Sequence, residues 1–458
     1  MQPSLKPASI RSFPVAHAAS GLRTALVAAL LVPLVCAPAT APVLAAPQSG
    51  AKSVDHFAPG SVPAADQALR QRLVSLNHDI QTRGLHDFPG SPEKLITGYS
   101  YGEFFDWDLY FENVYLSYYG VSTYDFTNLQ MFLNRQQPDG FISRTLNVNT
   151  YRPTQMFKPF LAQLSVLGLR QRGDNFEWLR DGDYQRLQKY LQRWFAYDAD
   201  HNGLPVWNSS DASGMDNQQS RSGDLESYSD EGVDLACYLY RELQAMAVIA
   251  GKLGKKDDQA EYTAHAKRLA NQINDVFWDE KDGFYYDRNQ KTGQQIHIKS
   301  IAGFIPLYAG IASPHQARRL IQEHLLNPKE FWLNYPIATY AKTEPDFYNG
   351  SHRECNWRGS AWIPTNYMVF HGLLRYGYRK EAKELADKTI ELALKRNPVT
   401  REYYNSETGE GMGMNPFWGW SSLAYIMPLE YELNYDATDL NKPIRPIVTE
   451  KYGIAFGS

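Results

Sequence analysis

The chain has 458 residues, 43% of them hydrophobic and 21% charged, a composition that folds rather than stays disordered. Its 46 basic residues against 50 acidic ones leave a net charge of −4, so no basic field draws it to nucleic acid or to an anionic membrane. The length exceeds one small domain and fits either one large barrel or two ordinary domains.

In chain order, the first feature is a leader. Arg23 precedes an apolar run over 25–37, and Val43-Leu44-Ala45 offers small residues before a cut. This predicts a secretory signal peptide over 1–45, a single domain over 46–458, and export to the periplasm or the medium. The apolar run is short for a membrane span, so no membrane association is expected after cleavage. Cys237 and Cys355 then remain, and they read as two buried thiols in preference to one disulfide, because no cysteine framework is visible.

From there the apolar spacing is helical. Leu69, Leu73, Leu76 and Ile80 mark one face of a helix over 67–82. Further helices are predicted over 107–119, 123–135 (capped by Ser122), 156–171, 183–196, 231–253, 257–277, 299–311, 315–325, 362–376, 380–395 and 419–432. Short turns such as 254–257 and 376–379 join neighbours into helical hairpins. Strand signals are weak: 283–287 reads as one arm of a small hairpin and 294–298 as the other. So many helices in about 400 residues suit a superhelical repeat or a closed double ring, and the lack of a fixed sequence period disfavours the repeat. A closed ring puts its informative residues in the loops leaving its inner helices.

Several chemistries find no motif here. The sequence has no His-Glu-x-x-His, no Cys-x-x-Cys, no Gly-x-Ser-x-Gly and no glycine-rich phosphate loop, so neither a metal nor a cofactor is expected. Four clusters of acids, aromatics and glycines stand out instead. Phe104-Phe105-Asp106-Trp107-Asp108 opens a helix, where an Asp can be a plain N-cap or a site residue. The loop from Trp207 to Asn217 contains Gly214, which permits a tight turn, and Asp216, which is placed to enter a cavity; its bland alternative is a surface loop. Trp357-Arg358-Gly359-Ser360-Ala361-Trp362 sets a cation beside two indoles, a poor helix surface but a good sugar wall. Arg401-Glu402-Tyr403-Tyr404-Asn405 leads through Gly409, Gly411 and Gly413 to Phe417-Trp418-Gly419-Trp420, richer in aromatics and glycines than a solvated turn needs.

Taken in order, Trp107-Asp108, Ser213-Gly214-Met215-Asp216-Asn217, Trp357-Arg358-Gly359-x-x-Trp362 and Glu402-Tyr403-Tyr404-Asn405 resemble the motifs of one glycosidase clan. That clan holds the trehalases, the processing α-glucosidases of glycoside hydrolase family 63 and the mannosylglycerate hydrolases; the short mannosylglycerate-hydrolase-like branch is the nearest match. The resemblance implies an all-α, (α/α)6-barrel fold and cleavage of a small α-glucoside or α-mannoside with inversion, and the expectation is an exo-acting enzyme needing no cofactor. By position it implies Asp216 as general acid and Glu402 as general base. Trp107 and Asp108 would grip the sugar, with Trp357, Arg358, Trp362 and Trp420 as walls and Trp207 and Gly214 beside them. One departure stands out: where the clan often has Gln-Pro-Pro, this chain reads Tyr151-Arg152-Pro153-Thr154-Gln155.

Inversion requires two carboxyl groups on opposite sides of the scissile bond, one protonated and one ionised, with a gap of ~6.5–9.5 Å that admits water. Asp begins at about 3.9, so Asp216 has to be raised to stay protonated near neutrality. Two other classes are weighed. A sugar-binding protein on the same scaffold would not need both carboxylates. A sugar epimerase would want a histidine pair, and His352, the histidine nearest a motif, has no evident partner. Asp198-Ala199-Asp200-His201-Asn202-Gly203 opens like a calcium loop but has Ser209 where the closing Glu belongs, so it reads as a structural turn. The sequons at Asn208 and Asn349 read as unmodified, because both adjoin site motifs.

Overall fold

Two kinds of helix alternate along the chain, and their burial separates them. The computed structural model describes residues 64–99, 102–146, 155–179, 182–207, 211–218, 230–351 and 355–457, all within one compact unit over 61–458. The expected leader over 1–45 lies outside the described residues. Helix α1 (Ala64–Asp79) is followed by α2 (Asp106–Ser117), α3 (Thr123–Leu133), α4 (Leu161–Gln171), α5 (Asp183–Phe195), α6 (Val233–Lys252) and α7 (Lys256–Phe277). Then come α8 (Ile305–Ala309), α9 (Pro314–Arg319), α10 (Ile363–Arg375), α11 (Arg379–Glu391), α12 (Met427–Leu433) and α13 (Ile447–Tyr452).

Every residue of α2 is buried, as is every residue of α8 and the whole of α10 up to Leu373. Helices buried all round must be surrounded by protein. By contrast, α7 buries only Ala266, Leu269, Ile273 and Phe277, and α11 only Ala382, Leu385, Ala386 and Thr389, a single stripe each. The all-round helices pack in a cycle: α2 on α4, α4 on α6, α6 on α8, α8 on α10, α10 on the 3-10 turn Trp420–Tyr425, and that turn back on α2. The one-sided helices lie against them, α3 on α4, α7 on α6 and α11 on α10. The fold is thus mostly helical, of the α/α-toroid kind.

The sequence periodicity locates these helices, and the differences have local causes. The segment predicted from 156 becomes helical only at Leu161, since Pro159 follows an extended stretch in which Met156 pairs with Ser143. The segment predicted from 231 starts at Val233, because Asp230–Glu231 pairs with Arg288–Asn289. Ser122 does not cap α3; its Oγ accepts instead from Arg172 Nε at 3.1 Å. The weak strand signals split: Phe284–Tyr285 turns back on Trp278–Asp279, while Gln294–Ile296 pairs with Asp287–Asn289. Helix α13 was not anticipated. Among the described residues, no helix is long and apolar enough to cross a membrane.

Candidate active site

The four motif clusters meet through short connections. Ala361 is bonded to Tyr404 in both directions, N to O at 2.7 Å and O to N at 2.9 Å, which ties the Trp357–Trp362 segment to the Glu402 segment. Asn217 reaches the same place: its Oδ1 accepts from Trp357 N at 2.7 Å, and its Nδ2 donates to Asn356 Oδ1 at 3.4 Å. The residue next to Asp216 therefore clamps the Asp216 loop to the Trp357 loop.

Two glycines make the approach possible. Gly214 has φ +75°, and a Cβ there would stand 3.0 Å from Trp107 Cζ2 and 3.1 Å from Lys158 Cε. Gly413 has φ +70°, and a Cβ there would collide with Glu402 Oε2. Each is a left-handed position pressed against a site side chain, so only glycine fits.

The aromatics form a continuous wall. Trp362 lies between Trp357 (3.9 Å, 12°) and Tyr403 (4.7 Å, 14°), stacked on both. Trp107 contacts Trp357 at 5.8 Å and Trp420 at 5.7 Å. The indole N–H groups of Trp362 and Trp420 hold backbone carbonyls, of Asn356 at 2.7 Å and of Glu402 at 3.0 Å, which fixes both rings. Trp207 is placed differently: it packs on Trp194 at 5.8 Å and donates to Asp234 Oδ1 at 3.1 Å, a buried supporting position.

The carboxyls are arranged in a gradient of compensation. Asp106 begins α2 and is neutralised by Lys158 Nζ at 3.0 and 3.1 Å, with Arg144 Nε at 3.8 Å. Asp108 is also buried, but its Oδ1 has no hydrogen-bond partner among the described residues. Burial, reinforced by Asp106, pushes the Asp108 carboxyl up to about 8. Burial also lowers the Lys158 ammonium to about 8. Glu112, one turn beyond Asp108, is held well above the usual carboxylate range by burial and by Asp108. Glu402 is raised by burial, against which Met414 N–H, the Cys355 thiol and Tyr99 act to keep it ionised. Met414 N donates to its Oε2 at 2.8 Å and Cys355 Sγ to its Oε1 at 3.4 Å. Asp216 acts on the same thiol, helping burial and Glu402 to push it above the ordinary thiol range. Two carboxyl groups far apart in sequence thus bear on one side chain.

Trp357 Nε1 and Arg358 Nε are, like Asp108 Oδ1, buried and without partners among the described residues. Buried polar atoms normally have partners.

Sequence reasoning named Asp216, Glu402, Trp107, Asp108, Gly214, Trp357, Arg358, Trp362 and Trp420, and the chain folds so that these segments share one neighbourhood. It missed Lys158, Arg144, Tyr99 and Cys355. Lys158 had a signal, a lone charge inside the apolar run Met156–Leu161. Gln155 is buried, with its Oε1 3.4 Å from Arg144 Nη1. His352 and Asn208 lie outside the described residues. Asn349 is buried and exchanges hydrogen bonds with Ser406 (2.9 and 3.0 Å), which leaves its amide engaged. Both cysteines are free thiols; Cys237 is buried and Cys355 partly so. The 198–203 loop closes on itself, with Asn202 N and Gly203 N donating to Asp198, and Arg288 pairing Glu231 at 2.6 Å and Asp200 at 3.5 Å. Among the described residues, one group can hold a metal ion, Asp279, Asp282 and His297, and it belongs to none of the four motifs.

A toroid-type helical scaffold whose loops gather carboxyls against a tryptophan wall is the construction of a glycoside hydrolase. The chain belongs to the family of mannosylglycerate hydrolase MGH1-like glycoside hydrolase domains, whose model matches residues 101–421. It is similar to a mannosylglycerate hydrolase of Thermus thermophilus, 36% identical over 32% of this chain and 34% of that protein. It is also similar to a mannosylglycerate hydrolase of Selaginella moellendorffii, 32% identical over 39% of this chain and 34% of that one. These alignments span about a third of the length of the curated relatives. The fold resembles that of a family 63 mannosylglycerate hydrolase from Thermus thermophilus in complex with Tris and D-glycerate, with a TM-score of 0.64 at 22% identity, covering 79% of this chain and all (100%) of that one.

Proposed function

We propose that this protein is an inverting, exo-acting α-glycosidase built on an (α/α)6 barrel, with Asp216 as general acid and Glu402 as general base. The observation that carries the reading is the convergence of the two acid-bearing segments on the tryptophan wall, Asn217 accepting from Trp357 N at 2.7 Å and Cys355 Sγ, two residues before Trp357, standing 3.4 Å from Glu402 Oε1. In the reaction, neutral Asp216 gives its proton to the glycosidic oxygen as the C–O bond breaks. Glu402 takes a proton from the water that attacks the anomeric carbon from the opposite face. Met414 N–H holds Glu402 in place and favours its ionised form. Asp108, Trp357 and Arg358 supply the unsatisfied polar atoms that a sugar's hydroxyls would meet.

The substrate is a small α-linked glucoside or mannoside with a polar aglycone. Membership in a mannosylglycerate-hydrolase-like family and the D-glycerate bound to the structural relative support that choice. A secreted or periplasmic location rests on the leader reading of 1–45, and sequencing the amino terminus of exported protein tests it. The function is tested with a panel of α-linked disaccharides and glycosylglycerates, assayed for released monosaccharide. Proton NMR of the first product should show the β anomer. Early α anomer would mean retention, and no release from any panel member would remove the hydrolytic reading.

A further inference from the structure

The side chain of Lys158 is wholly buried, at 0% exposure, in the extended stretch that leads into α4. A buried ammonium is costly unless it is paired. This one donates to both oxygens of Asp106, at 3.0 and 3.1 Å, and Lys158 N donates to Asp106 Oδ2 at 2.9 Å. The stretch that carries it is anchored on the other side by α5, where Trp194 Nε1 donates to Phe157 O at 3.0 Å and the Tyr190 hydroxyl to Lys158 O at 2.5 Å. Lys158 thus reaches the start of α2 from a fixed base.

Compensating Asp106 does not account for everything this side chain meets. Asp106 also accepts from Trp107 N at 2.8 Å and has Arg144 Nε at 3.8 Å. Beyond the carboxylate, the ammonium lies 4.9 Å from the centre of the Trp107 ring, within cation–π range. The same side chain passes Gly214 so closely that a Cβ there would stand 3.1 Å from Lys158 Cε and 3.2 Å from Nζ. One buried cation therefore lies against the first residue of α2, an indole of the tryptophan wall and the backbone two residues before Asp216.

We propose that Lys158 is a positioning residue: its ammonium, held by Asp106, seats the Trp107 ring and the turn at Gly214, and so fixes the wall relative to the Asp216 loop. This rests on the site roles given to Trp107 and Asp216 above. Displacing groups around a reacting centre by about 1 Å costs on the order of 10²-fold in rate, so a seat of this kind has a measurable effect on turnover.

A lysine that only balances charge and one that positions part ways in a double variant. Lys158→Met keeps the length and the apolar stem but leaves Asp106 buried without its nearest cation, so both roles expect it to lose stability. Adding Asp106→Asn removes that orphaned charge and should return most of the melting temperature. Asp106→Asn alone is the control, because its amide oxygen still accepts from Trp107 N and from the ammonium, which stays in place. If Lys158 positions, the double variant should melt near the control yet show kcat/KM ~10- to 100-fold below it. Equal kcat/KM in the two would overturn the proposal, and so would a double variant that does not fold, which would make the lysine a structural residue only. A readout without substrate separates this from the parent reading: fluorine NMR of protein labelled with fluorotryptophan, the Trp107 line assigned by Trp107→Phe. A Trp107 line that is single in the control and broadens or splits in the double variant supports the seat even if no glycoside on the panel is cleaved. A line equally sharp in both sinks it even if hydrolysis and inversion are fully established.

Discussion

Two buried carboxylates in this molecule live under opposite rules. Glu430, on α12, is enclosed and saturated: it accepts from Tyr118 and Tyr367 hydroxyls, the latter at 2.6 Å, and from His371 Nε2 at 3.1 Å. His371 in turn faces Asp436 Oδ2 at 3.5 Å, and Asp436 accepts from Thr438 N and Oγ1 at 2.8 and 2.6 Å. Asp108, on α2, is just as buried, yet one oxygen has no partner among the described residues, and Glu112 Oε1 a turn away shares that state. The first cluster spends its donors holding helices α2, α10 and α12 together. The second leaves its polar atoms open, at a cost in stability, beside the indoles that would receive a sugar. Glu430 spends its acceptors on the fold, whereas the open oxygens of Asp108 and Glu112 lie on the helix that also carries Trp107.

The largest effect expected from this contrast is at the acid and base. Asp216→Asn and Glu402→Gln should each lower kcat by ~10² to 10⁴-fold while far-UV circular dichroism and cooperative melting persist. Near wild-type turnover in either would reassign that role. Glu430→Leu should do the reverse. It strips the acceptor from three buried donors and should cost about 3 kcal/mol or more in urea unfolding, with kcat/KM nearly unchanged well below the melting temperature. An activity loss without a stability loss would break the distinction between the two regions.

Asp108→Asn sharpens it on both axes. Removing the charge-bearing group should lower kcat/KM about tenfold, through weaker hold on the sugar. Because the folded carboxyl is raised to about 8, the native state keeps a proton that the unfolded chain gives up near 4, and wild-type stability drains as pH rises through that window. The amide has no such loss, so the variant should gain on the wild type between pH 4 and 8 in melting curves and match it below. The smallest effect is at His371. Burial pulls its imidazole down, but Asp436 and Glu430 outweigh that and hold it above the ordinary value. Its contribution is then full below pH ~6.5 and fades as pH rises through the folded value. His371→Gln should cost more at pH 5.5 than at pH 9, and an equal cost at both would show that the histidine carries no proton-linked stability.

Much of this was legible from the sequence, and its limits are physical. The stripe of Leu69, Leu73, Leu76 and Ile80 marks a helix because apolar spacing is a local property that survives in any tertiary setting. Helices α2 and α10 were placed within two residues of their observed ends although both are buried on almost every side, whereas the striped first helix begins and ends three residues earlier than its apolar spacing suggests. Trp107, Asp216, Trp357 and Glu402 stood out because acids, indoles and glycines crowd together there beyond what a solvated loop requires.

Lys158 and Cys355 show what ordering along a chain cannot encode. Nothing beside Lys158 announces Asp106, whose carboxylate it meets at 3.0 Å because α2 and α4 pack side by side. Nothing beside Cys355 announces Glu402, whose Oε1 lies 3.4 Å from its sulfur. The sequence by itself determined the helices, their alternation and the residue types able to do glycosidic chemistry, because these follow from local periodicity and side-chain identity. Only the tertiary structure decided which charges are compensated and which polar atoms are left open, because burial and hydrogen bonding between remote segments are set by ring closure, where a few ångströms separate a satisfied carboxylate from a waiting one.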